Sequence, residues 1–381
     1  MSVKKKELSI PICYITSQDV LNNLITLIKV RQIIAIDTEF TRERTYYPIL
    51  SIIQIALSPE SKNESKNESK NSECKKEFFI IDCLSDVDIT ELLKIISNPD
   101  ITKIIHSSRQ DLQIFYQKSG VVPCNIVDTQ VMANLCGIGF NVGYARLVED
   151  FVGKILDKKQ QRSDWQRRPL SDRQIEYAAL DVAFLEDIYE KLHEILVKHN
   201  RPHWFSEEME NFVNSAMTQS GDNLFKNFSF RNKDQKQISY IKNLILCREV
   251  WAQKIDVPRR HLLGDEVIER IAKSPHDYNF SMLKLDVLMI EEMKKIVFKD
   301  MADSDFTGLE IVKKDSDEEK EAYQKAKDFV RDFAKKLNIS EQLLLTNSDI
   351  KKLIRNRELF NEMLVGWRYE LFGSELEKII F

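Results

Sequence analysis

Residues 33–57 read IIAIDTEFTRERTYYPILSIIQIAL. Two Ile-rich apolar runs, IIAID (33–37) and ILSIIQIAL (49–57), flank a polar segment, and such runs are typical of buried strands. Outward from them lie four shorter strand-like runs: ICYIT (12–16), FFIID (78–82), KIIHS (103–107) and NIVDT (125–129). Helix-like segments alternate with these runs, which predicts an α/β domain with a mixed sheet over residues 1–205.

Residues 58–77 interrupt that alternation. Their core is a tandem repeat, SKNESKNESKN, at 61–71, which is polar and has no apolar period. A segment of this composition has no apolar surface to bury and does not join a packed core. We therefore predict a low-complexity loop insertion between two strands of the domain.

The carboxyl-terminal part of the chain reads as helices separated by short polar turns. VPRRHLLGDEVIERIA (257–272) aligns without gaps with ISEQLLLTNSDIKKLI (339–354), at an offset of 82 residues. Apolar positions coincide along both segments, so duplication of a helical unit is the preferred interpretation. The prediction is two helical domains, at 220–300 and 318–381, with the stretch 303–322 as the linker.

The composition of the chain bears on its cellular compartment and on how it could bind nucleic acid. The chain has 381 residues and a formal net charge of −4. Proteins that hold nucleic acid without sequence preference usually carry a basic excess. Any contact between this acidic chain and nucleic acid therefore needs a local basic patch or metal ions. The six cysteines form no C-x-x-C or zinc-like spacing, which favours a reducing compartment. With no signal-peptide pattern and no membrane-length apolar run, we expect a cytoplasmic protein without membrane contact.

Asp37 and Glu39 lie two residues apart at the end of the first apolar run. On a strand, residues two apart project from the same face. Adjacent carboxylates repel each other unless a cation lies between them, and Mg²⁺ prefers oxygen ligands. The D-x-E motif alone also occurs at solvated strand ends, so by itself it leaves both interpretations open.

A second acidic residue follows the strand KIIHS, in HSSRQDLQIFY (106–116). Ser107 and Gln110 have the spacing of a capping box, which predicts a helix start with Asp111 in its first turn. Stabilisation of the helix dipole explains Asp111 equally well. Asp128, in NIVDT, is predicted to be a helix N-cap or a residue behind the metal ligands.

The third acidic segment is SDRQIEYAALDVAFLEDIY (171–189). Ser171 and Gln174 again have capping-box spacing. Tyr177 and Asp181 are four residues apart and therefore adjacent on the helix surface. A Tyr–Asp pair at the edge of a core is the structural alternative to a catalytic role.

Together, and in this order, the three motifs resemble the DEDDy 3′→5′ exonuclease superfamily and, within it, the ribonuclease D family. The resemblance rests on IDTEFTRERTYYPILSIIQIA (36–56), IIHSSRQDLQIF (104–115) and SDWQRRPLSDRQIEYAALDVAFL (163–185). The carboxyl half resembles two HRDC modules. This implies a ribonuclease H-like α/β exonuclease domain followed by two all-α HRDC domains.

The resemblance also implies a mechanism, in which two divalent ions, Mg²⁺ or Mn²⁺, are held by four carboxylates and nucleoside 5′-monophosphates are released from an RNA 3′ end. Asp37 is expected to bridge both ions. Glu39 and Asp181 are expected to complete the site of the ion that activates water, and Asp111 to hold the second ion. Tyr177 is expected to orient the attacking water.

Substrate contacts are predicted in KILDKKQQRSDWQRRPLSDR (154–173), where seven Lys or Arg residues stand against three Asp residues. Arg167 and Arg168 are candidates for phosphate contact. Trp165 either stacks on a base or packs in the core. Gln54 either contacts substrate or is a buried strand amide. The resemblance implies RNA as partner, with transfer-RNA precursors and other structured 3′ ends as substrates, and a monomeric protein.

Two other functional classes remain open from the residues alone. A 3′→5′ DNA exonuclease uses the same carboxylates, and HRDC modules also occur in DNA helicases. A non-catalytic RNA-binding scaffold is the other alternative, although such a protein would be expected to lose acidic ligands. All four acidic residues and the tyrosine are present here.

Overall fold

The computed structural model describes residues 11–59, 76–217, 224–225, 228–230, 233–298 and 316–381. They fall into two compact units, the first drawn from 1–41, 50–218 and 316–381 and the second from 42–49 and 219–315. Most of the predicted SKNE insertion (60–75) and residues 303–315 of the predicted linker lie outside the described residues. Within the described part of the chain, no helix has both the length and the apolar character needed to cross a bilayer.

A mixed sheet of six strands forms the centre of the first unit. Its strands are β1 (Ile12–Ile15), β2 (Ile33–Thr41), β3 (Ile49–Leu57), β4 (Glu77–Asp82), β5 (Thr102–Ile105) and β6 (Ile126–Asp128). Their order is β1-β4-β3-β2-β5-β6. β4 runs parallel to β1 and antiparallel to β3, and β5 runs parallel to β2 and β6. The predicted mixed sheet is confirmed.

Helices cover both faces of this sheet. They are α1 (Gln18–Lys29), α2 (Thr90–Ile96), α3 (Arg109–Ser119), α4 (Thr129–Leu135), α5 (Tyr144–Val152), α6 (Asp172–Ala183), α7 (Leu185–Lys198) and α8 (Pro202–Met217). The alternation of side chains along β2 divides the core in two. Ile34 and Ile36 join the core cluster with Leu112 of α3. Ala35 joins the opposite cluster, with Val182 of α6.

In the second unit, residues 42–49 connect β2 to β3, and the other described residues form helices and the turns between them. Its helices are α9 (Gln235–Lys254), α10 (Arg259–Leu262), α11 (Asp265–Lys273) and α12 (Val287–Phe298), with a 3₁₀ turn at Phe280–Met282. The connecting segment is held by a buried network in which the Tyr46 hydroxyl donates to Glu249. Arg259 forms a salt bridge with the same glutamate.

The remaining helices, in residues 316–381, belong to the first unit. They are α13 (Asp317–Leu337), α14 (Glu341–Leu344), α15 (Asn347–Arg355), α16 (Glu358–Met363), α17 (Gly366–Arg368) and α18 (Ser374–Ile380), with a π-helical turn at Tyr369–Gly373. Trp367 stacks on Trp204 of α8, with ring centroids 4.6 Å apart. Arg368 forms a salt bridge with Glu208, also on α8. The segment predicted as a domain at 318–381 therefore shares a compact unit with the α/β domain.

The internal repeat has a structural counterpart. α14 and α15 begin and end 82 residues after α10 and α11, respectively. Ile268 and Ile350 occupy equivalent buried positions in the two copies. The predicted duplication is confirmed. The predicted linker is too long at its carboxyl end, because α13 begins at Asp317 behind a capping box formed by Ser316 and Glu319.

Candidate active site

Asp37 and Glu39 lie near the carboxyl end of β2, where the strand is only partly covered. They share a face with Ala35, and that face is packed by α6. β5 runs parallel to β2, so the chain that follows β5 emerges at the same edge of the sheet. The topology thus directs the second acidic motif toward the first.

Asp111 connects these two motifs directly. It lies in the first turn of α3 and is 6% exposed. Its carboxylate accepts a hydrogen bond from the hydroxyl of Thr38, the residue between Asp37 and Glu39. This hydrogen bond joins the first turn of α3 to the acidic segment of β2.

The turn before α3 is organised by Asp128, at the end of β6. The Asp128 carboxylate accepts from the backbone N–H groups of Ser107 at 3.0 Å and Ser108 at 2.7 Å. It also caps α4 through the N–H of Gln130, at 2.8 Å. The N-cap prediction for Asp128 is confirmed. The capping box predicted for Ser107 and Gln110 is wrong, because the helix begins after Ser108 without a side-chain cap.

The third motif lies on α6, whose first turn has the predicted capping box of Ser171 and Gln174. Further along α6, Tyr177 and Asp181 lie one turn apart, and burial, followed by the Asp181 charge, raises the pKa of the Tyr177 hydroxyl. The Tyr–Asp pair expected from the four-residue spacing is therefore formed. It lies at the same pocket as Asp37 and Glu39.

Tyr144, at the start of α5, fixes the end of α6. Its hydroxyl donates to the backbone carbonyl of Leu180 at 3.0 Å and accepts from the N–H of Phe184 at 3.1 Å. These contacts flank Asp181. The sequence gives no local signal for this role, because α5 and α6 are separated by the whole basic segment.

The pKa values of all four carboxylates are raised. Burial, followed by the charges of Asp111, Asp181 and Glu39, raises the pKa of Asp37 well above its usual range. Burial and the charges of Asp181 and Asp111 raise the pKa of Glu39 to about 9. Burial also raises the pKa values of Asp111 and Asp181 to about 7. Each carboxylate is thus held near others in a poorly solvated site.

This donor set fits divalent cations. It consists of four carboxylates, the ligand type that Mg²⁺ and Mn²⁺ prefer. Among the described residues, no lysine or arginine forms a salt bridge with any of the four. The side chains are spread more widely than a closed coordination shell, and within the described ranges no three Asp, Glu, His or Cys groups are close enough to hold an ion as they stand.

A cavity of about 450 Å³ opens over these residues. One wall carries Leu156, Lys158 and Gln161, from the amino-terminal part of the predicted basic segment. The lining also includes Phe40 and His106. The sequence predicted that the basic segment 154–173 lies near the cleft. It could not show which side chains of that segment line the cavity.

The predicted substrate residues have different surroundings. Trp165 is 2% exposed and packs in a core cluster with Ile52 and Ile80, which supports the second of its two predicted roles. Gln54 is a buried strand amide whose side-chain polar atoms have no hydrogen-bond partner. Arg167 is exposed, and the guanidinium of Arg168 is bound to Asp82.

Known proteins similar to this chain are nucleases. Residues 12–197 match a family model described as 3′-5′ exonuclease. The ribonuclease D of Jannaschia sp. (strain CCS1) is 29% identical over 361 residues, which cover 91% of this chain and 89% of that protein. The ribonuclease D of Granulibacter bethesdensis is 29% identical over 377 residues, which cover 95% of this chain and 90% of that protein.

Solved structures agree with this similarity. Escherichia coli RNase D, described as an exoribonuclease involved in structured RNA processing, matches with a TM-score of 0.78 and 25% identity. The match covers 97% of this chain and 99% of that one. The catalytic core of RRP6 from Trypanosoma brucei matches with a TM-score of 0.54 and 18% identity, over 77% of this chain and 80% of that one, which shows a shared fold.

Proposed function

We infer that this chain belongs to the ribonuclease D-like 3′-5′ exoribonucleases. On that premise, we propose that four of its carboxylates hold two divalent ions and that the enzyme hydrolyses RNA from the 3′ end. These carboxylates are Asp37, Glu39, Asp111 and Asp181. The exonuclease family is metal-dependent. The observation that carries the proposal is the convergence of the four: the charges of Asp111, Asp181 and Glu39 add to burial in raising the pKa of Asp37, and those of Asp181 and Asp111 do the same for Glu39.

Each residue has a distinct task in this proposal. Asp37 would be shared between the ions, Glu39 and Asp181 would hold one of them, and Asp111 would hold the other. When bound, the ions supply a nucleophile from water at neutral pH and neutralise charge on the scissile phosphate.

Tyr177 acts as a hydrogen-bond donor in this scheme. Burial, followed by the charges of Asp181, Glu39 and Asp37, raises its pKa further above the usual value near 10. A hydroxyl with such a pKa stays protonated at neutral pH and cannot serve as a general base. It therefore orients Asp181 and the attacking water, and does not remove the proton.

The decisive test is digestion of a 5′-labelled RNA oligomer beside a DNA oligomer of the same sequence. We expect stepwise shortening of the RNA from its 3′ end with Mg²⁺ or Mn²⁺, release of nucleoside 5′-monophosphates, and no reaction with excess chelator. Faster digestion of DNA would establish the DNA exonuclease alternative. RNA binding with no shortening under any metal would establish the scaffold alternative.

The substrate wall of the pocket is proposed to be the segment that carries Lys158. Lys158 and Gln161 line the cavity beside the acidic residues. An ammonium group at this place can contact a phosphate upstream of the scissile bond. Arg167, exposed in the same basic segment, is proposed as a more distant backbone contact.

Replacing Lys158 with glutamine should raise KM for RNA about tenfold, because a charged hydrogen bond to phosphate is lost, with kcat within about twofold. The measurement is steady-state kinetics on a single-stranded RNA at fixed salt. Lys191→Gln is the matched control, since Lys191 is an exposed residue of α7 paired with Glu194. A KM no different from that of the control would remove Lys158 from the substrate site.

Finer aspects of the function follow from the relatives. We propose structured RNA 3′ ends, including those of transfer-RNA precursors, as substrates, because the similar E. coli enzyme is described as acting in structured RNA processing. The cytoplasmic location and the monomeric state stay predictions from the sequence. Sequencing the RNA 3′ ends that accumulate without the protein would identify its substrates.

A further inference from the structure

The Arg168 guanidinium makes several hydrogen bonds within the protein. Its Nε and Nη2 atoms donate to the two carboxylate oxygens of Asp82 at 2.6 and 2.7 Å. Nη2 also donates to the carbonyl of Ser51 at 3.0 Å, and Nη1 donates to the carbonyl of Trp165 at 2.7 Å. The guanidinium therefore joins the ends of β3 and β4 to the segment that precedes α6.

The surroundings of Asp82 favour an ion pair with this guanidinium. Its side chain is 6% exposed, and it also accepts from the Tyr14 hydroxyl at 2.5 Å and from the N–H of Leu84 at 3.0 Å. A carboxylate buried to this degree is costly unless it is paired and fully hydrogen-bonded. The bidentate geometry uses the planar fork of arginine, which lysine cannot reproduce. The pair thus fixes both the position and the orientation of Arg168.

The backbone held by Arg168 carries Trp165, whose indole ring lies against the Tyr177 ring. The two ring centroids are 6.1 Å apart and the ring planes are inclined by 39°. A second contact supports the same place, because the side-chain amide of Gln174 donates to the carbonyl of Asp164 at 3.2 Å. An unbroken chain of contacts therefore runs from Asp82 through Arg168 and Trp165 to Tyr177.

We propose that the Asp82–Arg168 pair is a brace that positions the Tyr177 hydroxyl for catalysis through Trp165. Arg168 is then a positioning residue, and its guanidinium does not contact RNA. This replaces the phosphate contact expected for Arg168 from the sequence. The inference rests on the proposed function, because it assumes that Tyr177 works at the reaction centre.

The test is a double-mutant cycle of Arg168→Lys and Tyr177→Phe. We expect Arg168→Lys to lower kcat about tenfold, because a small displacement of an orienting group costs about that much, with KM for RNA within about twofold. In the Tyr177→Phe background, where no hydroxyl remains to be positioned, the same change should alter kcat by less than about twofold. An equal loss of kcat in both backgrounds, or a rise in KM alone, would refute the brace.

Two controls separate this result from a loss of folding and from a failed function. Arg146→Lys alters another Arg–Asp pair, that of Arg146 with Asp150 on the surface of α5, and should change neither parameter. If Arg168→Lys lowers the thermal unfolding midpoint below the assay temperature, Trp165→Phe takes its place in the cycle, with the same two expected outcomes. An additive cycle in an active enzyme refutes the brace alone, whereas an inactive wild-type protein refutes the proposed function.

Discussion

Asp181→Asn should lower the rate of monophosphate release by about 10³-fold or more while RNA stays bound. An amide keeps the shape of the side chain but cannot supply the negative charge that holds a divalent ion. Loss of one such ligand removes several kcal/mol of stabilisation from the transition state, and about 4 kcal/mol corresponds to three orders of magnitude. The measurements are single-turnover cleavage and equilibrium binding of a labelled RNA oligomer.

RNA affinity should be little changed because the wall carrying Leu156, Lys158 and Gln161 is untouched by the substitution. The control is Asp187→Asn, six residues further along the chain, where the carboxylate forms a salt bridge with Lys76 at 2.7 Å. That variant should retain turnover. Near-normal turnover by Asp181→Asn would instead show that this carboxylate holds no essential ion.

The fold could be predicted where local sequence determines it. The Ile-rich runs became β2 and β3 because only a position buried on both faces suits them. The Ser171–Gln174 capping box was also predictable, because both partners lie within one helical turn. The repeat of 257–272 was visible for the same reason, since each copy forms its own pair of short helices.

Contacts between distant parts of the chain were not predictable in the same way. Ser107 and Gln110 have capping-box spacing, but Asp128 satisfies the N–H groups at that turn from another strand. Trp165 looked equally suited to RNA or to the core, and Arg168 was expected to contact phosphate. The Arg168 guanidinium is instead bound to Asp82, which lies 86 residues away in the sequence. The packing of Trp367 on α8 likewise depends on a surface that the local helical pattern does not reveal.

The candidate site lies between these two cases. The spacing of Asp37 with Glu39, and of Tyr177 with Asp181, predicted two local pairs that the structure contains. The meeting of those pairs with Asp111 depends on the parallel pairing of β2 with β5 and on the Thr38 hydrogen bond. The sequence order of the motifs implied this meeting only through a family resemblance.

The same convergence predicts that the acidic site destabilises the protein when no cation is bound. The folded-state pKa of Glu39 is raised to about 9, and those of Asp111 and Asp181 to about 7. For an acid with a raised folded-state pKa, stability is fully present below the unfolded value near 4 and is lost as pH rises through the folded value. The contribution of these groups to the free energy of unfolding should therefore fall between about pH 4 and pH 9.

Glu39→Gln isolates this effect because the amide keeps the size of the side chain and removes its charge. With chelator at pH 8, the variant should unfold about 2–4 °C above the wild type, or about 1 kcal/mol, because folding forces the wild-type carboxyl to keep a proton that it loses in the unfolded chain. At pH 5, close to the unfolded-state pKa of the carboxyl, the two midpoints should converge. With saturating Mg²⁺ at pH 8 the order should reverse, because the wild type binds the ion more tightly and ligand binding stabilises the folded state. If the difference between the two unfolding midpoints changed with neither pH nor Mg²⁺, Glu39 would neither interact with its acidic neighbours nor bind a cation. The two-ion site would then have to be abandoned.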